Sequence, residues 1–234
     1  MKVHWLTQKR QQVPDSLYWL HPDEKEHYSQ FRFTKKQQDW LLGRWTAKQV
    51  LIRYLRESKP EISMNDVAIL PATDGAPEVF YKGEPIKEII SLSHSNGVGF
   101  CVIGPSGIKL GCDLELIEPR SPAFIKDYFT GDERFIIHNT KKEEIPLMAN
   151  LIWSAKESVL KALRTGLSMD TRQVHIDCSP INEQGIWNAF RIEVSNSDQR
   201  FYGCWLKKSG FVYTMVGNQQ DFELVSLDER ERMI

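Results

Sequence analysis

The sequence predicts an α+β fold built from two comparable halves. Two segments, Asp39–Leu55 and Leu147–Arg164, carry apolar residues at the spacing of amphipathic helices. Short runs with strand character lie around them, separated by turn signals such as Asp-Gly and Asn-Gly. A main helix with its own set of strands in each half is typical of an α+β fold and hints at a structural duplication, although no convincing internal repeat can be aligned.

The elements of the first half follow its main helix, which ends at Lys59-Pro60 because proline disfavours a helical residue before it. Its predicted strands are Val67–Leu70, Glu78–Tyr81, Ile89–Leu92 and Val98–Ile103. The second half begins with a predicted strand at Ile108–Leu116 and a helical stretch at Ser121–Asn139. Its later strands are Val174–Asp177, Phe190–Val194, Phe201–Lys207 and Phe211–Val216. We therefore expect two domains, residues 1–107 and 108–234.

Composition narrows the class of protein. Of the 234 residues, 41% are hydrophobic and 26% are charged, which is ordinary for a globular protein with a core. The formal net charge of -1 argues against a nucleic acid or a membrane surface as partner. The four cysteines are far apart, which predicts reduced thiols rather than structural zinc. A polar start and the lack of any run of about 20 apolar residues predict a cytoplasmic protein.

The predicted strand at Ile108–Leu116 carries two acids on one face. Alternation places Asp113 and Glu115 together, roughly 6–7 Å apart, opposite an apolar face. Two such charges repel unless a cation or hydrogen bonds compensate them, and hard oxygen ligands suit Mg²⁺. The alternative is a solvated face whose acids pair with nearby Lys or Arg. The Asp-x-Glu pattern alone favours that alternative.

The second predicted main helix presents a further acid and two lysines. Glu157 and Lys161 are four residues apart and lie together beside an apolar wedge, with Trp153. Lys156 projects within the wedge, where a buried ammonium costs free energy unless an anion receives it. The alternatives are a surface ion pair for Glu157 and Lys161, and a snorkelling stem for Lys156. We interpret this helix edge as facing an anionic ligand.

These segments resemble motifs of one family. Gly111–Glu115 resembles the (V/I)-G-(V/I)-D-(V/I)-E motif of the phosphopantetheinyl transferases, and Trp153–Lys161 resembles their W-S-x-K-E-(A/S)-x-x-K motif. Tyr128–Glu133 resembles the F-F-(S/T)-x-x-E segment of the larger, two-lobed Sfp-type members. Upstream, Ser91–Ser95 resembles (N/S)-(I/L)-S-H-S and Leu42–Lys48 resembles G-R-x-x-x-(R/K). The motifs occur in the family's order.

The resemblance implies both an architecture and an activity. It implies two pseudo-symmetric lobes, each a helix packed on a small, mostly antiparallel sheet, with the active site at the lobe interface and a monomer sufficient for function. The implied enzyme is a holo-acyl-carrier-protein synthase, or 4'-phosphopantetheinyl transferase. With Mg²⁺ it moves the 4'-phosphopantetheine arm of coenzyme A to a serine of an apo acyl or peptidyl carrier protein and releases 3',5'-ADP.

The resemblance also assigns roles in the second half. Asp113, Glu115 and Glu157 would hold Mg²⁺ against the pyrophosphate of coenzyme A. Glu157 would act as the base that deprotonates the carrier serine, directly or through a metal-bound water. Lys161 and Lys156 would bind phosphate oxygens and stabilise the leaving group.

Residues of the first half would bind the other end of coenzyme A. By resemblance Arg44, Lys48 and His94 bind the 3'-phosphate, with Ser93 in the same polar site. Gly75 would allow the backbone to approach the adenine. The alternatives are a solvated helix face for Arg44 and Lys48, a loop or core histidine for His94, and a simple turn for Gly75.

The sequence departs from the family pattern at three positions. Ala76 replaces the usual Lys and removes a cation near the nucleotide. Glu118 stands where some members carry a basic or polar residue, so the carrier-facing surface is expected to differ. Cys112 replaces a β-branched residue on the buried face of its strand. Phe124–Phe129 is the candidate docking segment for the carrier, with core packing as the alternative.

Two other functions compete with this interpretation. A metal-dependent nuclease or phosphatase would use the same three acids, but a nuclease would also need a basic groove, which the net charge does not indicate. A non-catalytic homologue that binds carrier proteins or coenzyme A would be expected to lack one of the acids or Lys161, and all are present. The sequence leaves open which carrier is modified and whether the coenzyme is acylated.

Overall fold

In the computed structural model, which describes residues 1–56, 58–178 and 185–228, each predicted half forms a unit with one long helix against a mostly antiparallel sheet. The predicted α+β class is thereby confirmed. The first unit consists of Met1–Ile108 together with the segment that begins at Asp221, and the second is Lys109–Gln220. The division lies one residue from the predicted one, but the end of the chain returns to the first unit.

The first unit contains two α-helices and seven strands within the described residues. Its helices are α1 (Pro22–Ser29) and α2 (Thr34–Leu55). Its strands are β1 (Lys2–Lys9), β2 (Val67–Pro71), β3 (Pro77–Tyr81), β4 (Glu84–Pro85), β5 (Ile89–Ser95), β6 (Val98–Gly104) and β12 (Glu223–Ser226). The main sheet has the order β12-β1-β6-β5, in which only β1 and β12 are parallel, and β2-β3-β4 form a separate antiparallel sheet.

Sequence analysis missed two strands of the main sheet. Strand β1 was read only as a polar start, yet Val3, Trp5 and Leu6 are buried along it. Strand β12 pairs with β1 from the far end of the chain, a long-range pairing that no local pattern announces. Helix α2 begins five residues before the predicted start, because its first turns carry polar side chains and no side-chain cap marks Phe33.

The second unit contains three α-helices and five strands within the described residues. The strands are β7 (Leu110–Leu116), β8 (Val174–Asp177), β9 (Asn188–Val194), β10 (Tyr202–Lys208) and β11 (Phe211–Gly217), in the sheet order β7-β11-β10-β9-β8. All neighbouring strands are antiparallel. The helices are α3 (Pro122–Tyr128), α4 (Gly131–Asn139) and α5 (Ile145–Leu163), and α5 packs on β7 and β11.

The helical stretch predicted at 121–139 is two helices rather than one. Phe129 has extended backbone, and Thr130 caps α4 by accepting a hydrogen bond from the Glu133 amide while Glu133 reaches back to the Thr130 amide. This reciprocal capping box satisfies amides that a helix start otherwise leaves without partners. Helix α5 begins two residues earlier than predicted, with Pro146 in its first turn.

The two units repeat one buried construction, which supports the predicted duplication. In each unit, a glutamate in the first turn of a short helix accepts two backbone hydrogen bonds, one from the N–H of the residue that caps the helix and one from the N–H of an isoleucine in a strand. The same glutamate forms an ion pair with a lysine of the long helix. The residues in the first unit are Glu24, His21, Ile69 and Lys48. Their counterparts are Glu133, Thr130, Ile176 and Lys156.

None of the helices in the described part of the chain is both long enough and apolar enough to cross a membrane.

Candidate active site

A glycine sets how closely helix α5 approaches strand β7. A Cβ atom at Gly111 would lie 1.9 Å from the carbonyl oxygen of Ser158 and 2.7 Å from the amide nitrogen of Ala162. Both neighbours are backbone atoms, so no side chain can move aside to make room. The hydroxyls of Ser154 and Ser158 each lie 2.8 Å from the Thr214 hydroxyl and tie the same helix face to β11. Small side chains therefore bring the backbone of α5 against the sheet.

This close contact joins the predicted lysine of α5 to the first acid of β7. Lys161 donates to Asp113 Oδ1 at 2.7 Å and to the Cys112 carbonyl at 3.0 Å. Asp113 is buried, whereas Lys161 is partly exposed. Burial is the largest single effect and lowers the pKa of Lys161, but Asp113, Cys112 and Glu157 together outweigh it, so the pKa of the lysine is raised. Lys161 is therefore held as a cation.

Glu115, the second acid of β7, is engaged at both oxygens. Arg120 donates to Oε2 at 2.7 Å, and the indole N–H of Trp153 donates to Oε1 at 3.0 Å. Burial and the neighbouring Asp113 carboxylate raise the pKa of Glu115, while Arg120 and Trp153 oppose this rise. Arg120 and Trp153 thus compensate the negative charge of Glu115 only in part.

Glu157 belongs to the same cluster of charges. It lies partly buried on α5, and burial followed by the Asp113 carboxylate raises its pKa, with Lys161 opposing and Glu115 adding to the effect. The charges of Asp113, Glu115, Glu157 and Lys161 therefore act on one another, so the four side chains form one electrostatic site. A carboxylate whose pKa is raised accepts a proton more readily than an ordinary glutamate.

The donor types at this site fit Mg²⁺, whose preferred ligands are carboxylate and phosphate oxygens. In the conformation of the described residues, however, no three His, Cys, Asp or Glu side chains are arranged to hold one metal ion. Two of the three acids are instead bonded to cations, Asp113 to Lys161 and Glu115 to Arg120. The acids fit the ion chemically, but the metal role predicted for them remains a prediction.

The prediction that Lys156 binds phosphate oxygens is wrong, because its anionic partner lies within the protein. Its side chain is 0% exposed, and the anion that receives it is Glu133, at 2.9 Å, rather than a ligand. The ammonium also donates to the backbone carbonyls of Thr171 and Val174, so all three of its hydrogens are used. Burial lowers the pKa of Lys156, and Glu133 opposes that effect. Lys156 anchors α5 and is closed off from any phosphate.

Lys48 is corrected in the same way. It is 0% exposed, lies 2.5 Å from Glu24, and donates to the carbonyls of Trp19 and Met64. It therefore forms no phosphate clamp with Arg44. Arg44 is nearly buried, and its guanidinium stacks 4.9 Å above the ring of Trp40.

His94 lies at a cavity of about 460 Å³ in the first unit. The cavity has aromatic walls and two lysines, and its lining residues are Phe31, Phe33, Lys35, Lys36, Asp39, Trp40 and His94. His94 is exposed near the end of β5, while the neighbouring Ser93 is buried. Sequence analysis missed Lys35 and Lys36, which lie before its predicted helix start at Asp39. Two adjacent lysines beside Phe31 and Phe33 were the available signal.

The remaining predicted residues lie in a turn and beside Trp153. Gly75 forms the turn between β2 and β3 with a φ of +82°, and no atom lies within 4 Å of where its Cβ would be. The turn alternative thus explains this glycine. In the candidate docking segment, Phe129 is core, whereas Phe124 and Tyr128 pack on Trp153 and Tyr128 is 38% exposed.

The chain is similar in sequence to one known family and to several known proteins. Residues 109–210 match the sequence model of the 4'-phosphopantetheinyl transferase superfamily. The L-aminoadipate-semialdehyde dehydrogenase-phosphopantetheinyl transferase of Homo sapiens is 26% identical over 196 residues, which are 77% of this chain and 62% of that protein. The protein of that name from Mus musculus is 24% identical over the same shares. The chain thus matches less than two thirds of the length of these relatives.

Two solved structures of holo-(acyl-carrier-protein) synthase are also similar. The one from Thermotoga maritima is 18% identical and covers 48% of this chain and 64% of its own, with a TM-score of 0.38. The one from Helicobacter pylori, in complex with coenzyme A, is 18% identical and covers 46% of this chain and 96% of its own, with a TM-score of 0.36.

The matched segment 109–210 contains Gly111, Asp113, Glu115, Glu157 and Lys161, the residues that build the charged site. The resemblance stated from the motifs is confirmed by this match. The segment that builds the charged site, residues 109–210, is thus the segment similar to the 4'-phosphopantetheinyl transferase superfamily.

Proposed function

We propose that this protein is a Mg²⁺-dependent 4'-phosphopantetheinyl transferase that acts on an apo carrier protein and releases 3',5'-ADP from coenzyme A. The observation that carries the proposal is the site where Lys161 bonds Asp113 while Glu157 and Glu115 lie in the same field. Phosphoryl transfer needs positive charge at the transferred group and a base for the attacking hydroxyl. This cluster can supply both.

Asp113, Glu115 and Glu157 would hold Mg²⁺, which supplies charge neutralisation at the pyrophosphate when bound. Lys161 remains protonated beside Asp113 and offers its ammonium to a phosphate oxygen of the leaving group. Its position is fixed by the Cys112 carbonyl and by the close packing that Gly111 permits. The nucleophile is the serine of the carrier protein, so the chain needs no activated serine or cysteine of its own.

Glu157 is the base in this proposal. Its raised pKa makes it a stronger proton acceptor than an ordinary glutamate, and it is not closed off, since it is partly exposed. It would take the proton of the carrier serine as the hydroxyl attacks the β-phosphorus of coenzyme A. The oxygen of 3',5'-ADP then leaves, and Lys161 stabilises the negative charge that this oxygen gains.

The cavity in the first unit is the proposed site for the 3'-phosphate and adenine end of the coenzyme. Lys35, Lys36 and His94 can donate to a phosphate, and Trp40 offers an aromatic wall for a base. Arg44, stacked on Trp40, adds a permanent positive charge beside this wall. Lys48 has no part in this site, because its ammonium is already bonded to Glu24 and to two backbone carbonyls.

The carrier protein would dock on a surface of the second unit. Carrier proteins of this class present an acidic helix around the target serine, and the surface at Phe124 and Tyr128 would receive it. Both rings pack on Trp153, Tyr128 is 38% exposed, and the Arg120 guanidinium lies 5.0 Å above the Phe124 ring. All three acids and Lys161 belong to the second unit, so no second copy of the chain is needed to assemble them.

The test incubates the protein with coenzyme A, Mg²⁺ and a panel of apo carriers, followed by mass spectrometry of each carrier. The panel includes acyl and peptidyl carriers and a carrier domain of an aminoadipate-semialdehyde dehydrogenase, because the human relative is named for that protein. We expect a phosphopantetheine mass increment on at least one carrier and its loss in Glu157→Gln. Glu143→Gln, an exposed acid near the start of α5, is the matched control and should keep full activity.

Each alternative function has its own outcome in the same experiment. Tight binding of coenzyme A with no increment on any carrier would indicate a non-catalytic binding protein. Hydrolysis of a nucleic acid or of a phosphate ester with no carrier modified would indicate a different metal-dependent enzyme.

A further inference from the structure

Arg120 holds one of the three acids in a way that the proposed chemistry does not use. Its guanidinium donates through Nη2 to Glu115 Oε2 at 2.7 Å, and the Trp153 indole occupies the other oxygen of the same carboxylate. The side chains of Arg120 and Glu115 are only 18% and 22% exposed, so water screens this pair incompletely. Glu115 therefore has a resident protein cation.

The guanidinium is itself held in place by a buried amide. Arg120 Nε donates to Asn150 Oδ1 at 2.7 Å. Asn150 is 0% exposed, and its amide nitrogen donates to the carbonyls of Glu118 and Pro146, which determines which of its atoms faces the arginine. The guanidinium also lies 5.0 Å above the ring of Phe124. A cation fixed by an oriented amide and an aromatic face differs from a surface ion pair that forms and breaks freely.

The charges of the site explain what this cation does there. Burial first, and then the Asp113 carboxylate, raise the pKa of both Glu115 and Glu157, so repulsion between the acids adds to the cost of burying them. Lys161 compensates Asp113, and Arg120 compensates Glu115. A divalent cation brought to the same acids would meet two positive charges already bonded to them. Since like charges repel and Arg120 already compensates the charge of Glu115 through Oε2, the bound guanidinium weakens the attraction of this carboxylate for the ion.

We propose that Arg120 is a positioning residue that competes with the divalent cation for Glu115. It keeps the carboxylate ordered and its charge compensated when no ion is bound, and it gives up the Oε2 contact when an ion binds. This inference rests on the proposed function, because that function supplies the ion. When the ion replaces Arg120 at Glu115, Arg120 keeps its contacts with Asn150 and Phe124 and loses only its hydrogen bond to the carboxylate.

The test measures ion binding directly and needs no catalysis. Mn²⁺ is added to the full chain, and the free ion is followed by electron paramagnetic resonance. We expect Arg120→Met, which keeps the length and apolar contact of the stem, to bind Mn²⁺ on the order of tenfold more tightly than the natural protein, the effect of removing one nearby positive charge. Arg120→Lys, which keeps the charge, should bind it close to the natural affinity.

Two controls locate the ion and guard against misfolding. Asp113→Asn should abolish tight Mn²⁺ binding in both the natural and the Arg120→Met backgrounds, and circular dichroism should be unchanged in every variant that is compared. If Arg120→Met does not fold, Arg120→Gln replaces it with the same expectation. Arg172→Met, which removes an exposed arginine elsewhere in the second unit, should leave the affinity unchanged.

The outcomes separate this inference from the proposed function. Unchanged or weaker Mn²⁺ binding in a folded Arg120→Met protein overturns the competition, even if the carrier assay succeeds. Binding that survives Asp113→Asn overturns it too, because the ion would then lie elsewhere. A protein that transfers no phosphopantetheine but shows the tenfold gain would keep the competition and lose the proposed activity.

Discussion

Gly111 and Ser158 meet backbone to backbone: a Cβ on the glycine would lie 1.9 Å from the serine carbonyl oxygen. This contact joins the strand that carries Asp113 and Glu115 to the helix that carries Glu157 and Lys161. A glycine is required here because of packing rather than backbone conformation, since Gly111 has no positive φ. The close approach of β7 and α5 at Gly111 places Lys161 within hydrogen-bond reach of Asp113.

The first prediction concerns that contact. Gly111→Ala should push α5 away from β7, lower the free energy of unfolding by roughly 1–3 kcal/mol, and abolish transfer, because Lys161 would no longer reach Asp113. Urea unfolding and the carrier mass assay measure the two effects. Gly131→Ala is the matched control, since nothing lies within 4 Å of its Cβ position. Equal activity in the two alanine variants would contradict this account.

The second prediction concerns the charge of Glu157. Burial and Asp113 raise the pKa of Glu157 in the folded protein above its value in the unfolded chain. The folded state therefore binds the proton more tightly, so the stability that this group contributes at low pH is lost as pH rises through the raised pKa. Glu157→Gln should then be more stable than the natural protein at pH 7.5, by about 2 °C in Tm, and equal to it near pH 4.

The measurement is calorimetry in EDTA at the two pH values, so that no bound ion contributes. Transfer by the natural protein should fall as Glu157 becomes protonated, at a higher pH than an ordinary glutamate would give. A lower Tm for Glu157→Gln at pH 7.5 would contradict this prediction, because it would mean that the charged form of Glu157 does not destabilise the folded protein.

The third prediction separates the two roles considered for Lys156. Lys156→Met leaves Glu133 as a buried, unpaired charge and should cost roughly 3–5 kcal/mol of stability. Adding Glu133→Gln should restore part of that loss, because no unpaired charge then remains. Urea midpoints of the two variants are compared by circular dichroism. If Lys156→Met instead kept full stability and only weakened coenzyme A binding, the phosphate role would be restored.

The fourth prediction concerns the cavity of the first unit. The double variant Lys35→Gln, Lys36→Gln should bind coenzyme A roughly 3–10-fold more weakly and bind 3'-dephospho-coenzyme A with unchanged affinity, because only the 3'-phosphate loses its cations. Isothermal titration at low salt measures both ligands. Lys87→Gln, an exposed lysine of the same unit, serves as control. A parallel loss for both ligands would move the 3'-phosphate away from this cavity.

Periodicity predicted the local elements well where one face is buried. Helix α5 and strand β7 were recognised because their apolar residues repeat at the helical and strand spacing along most of their length. The start of α2 was placed too late because exposed polar turns carry no such signal. The parallel partner of β1 could not be predicted, since β12 lies at the other end of the chain.

The sequence by itself marked the acids and Lys161 as candidates, because spacing puts Asp113 and Glu115 on one face of a strand and Glu157 and Lys161 on one face of a helix. The resemblance to a family came from the motifs and not from this spacing. It also marked Lys156 as a buried cation in need of an anion. Only the tertiary structure decided which anion, since Glu133 lies on a different helix and reaches Lys156 through packing. The partners of Glu115 were likewise decided by the fold, because Arg120 and Trp153 come to it from separate segments of the chain.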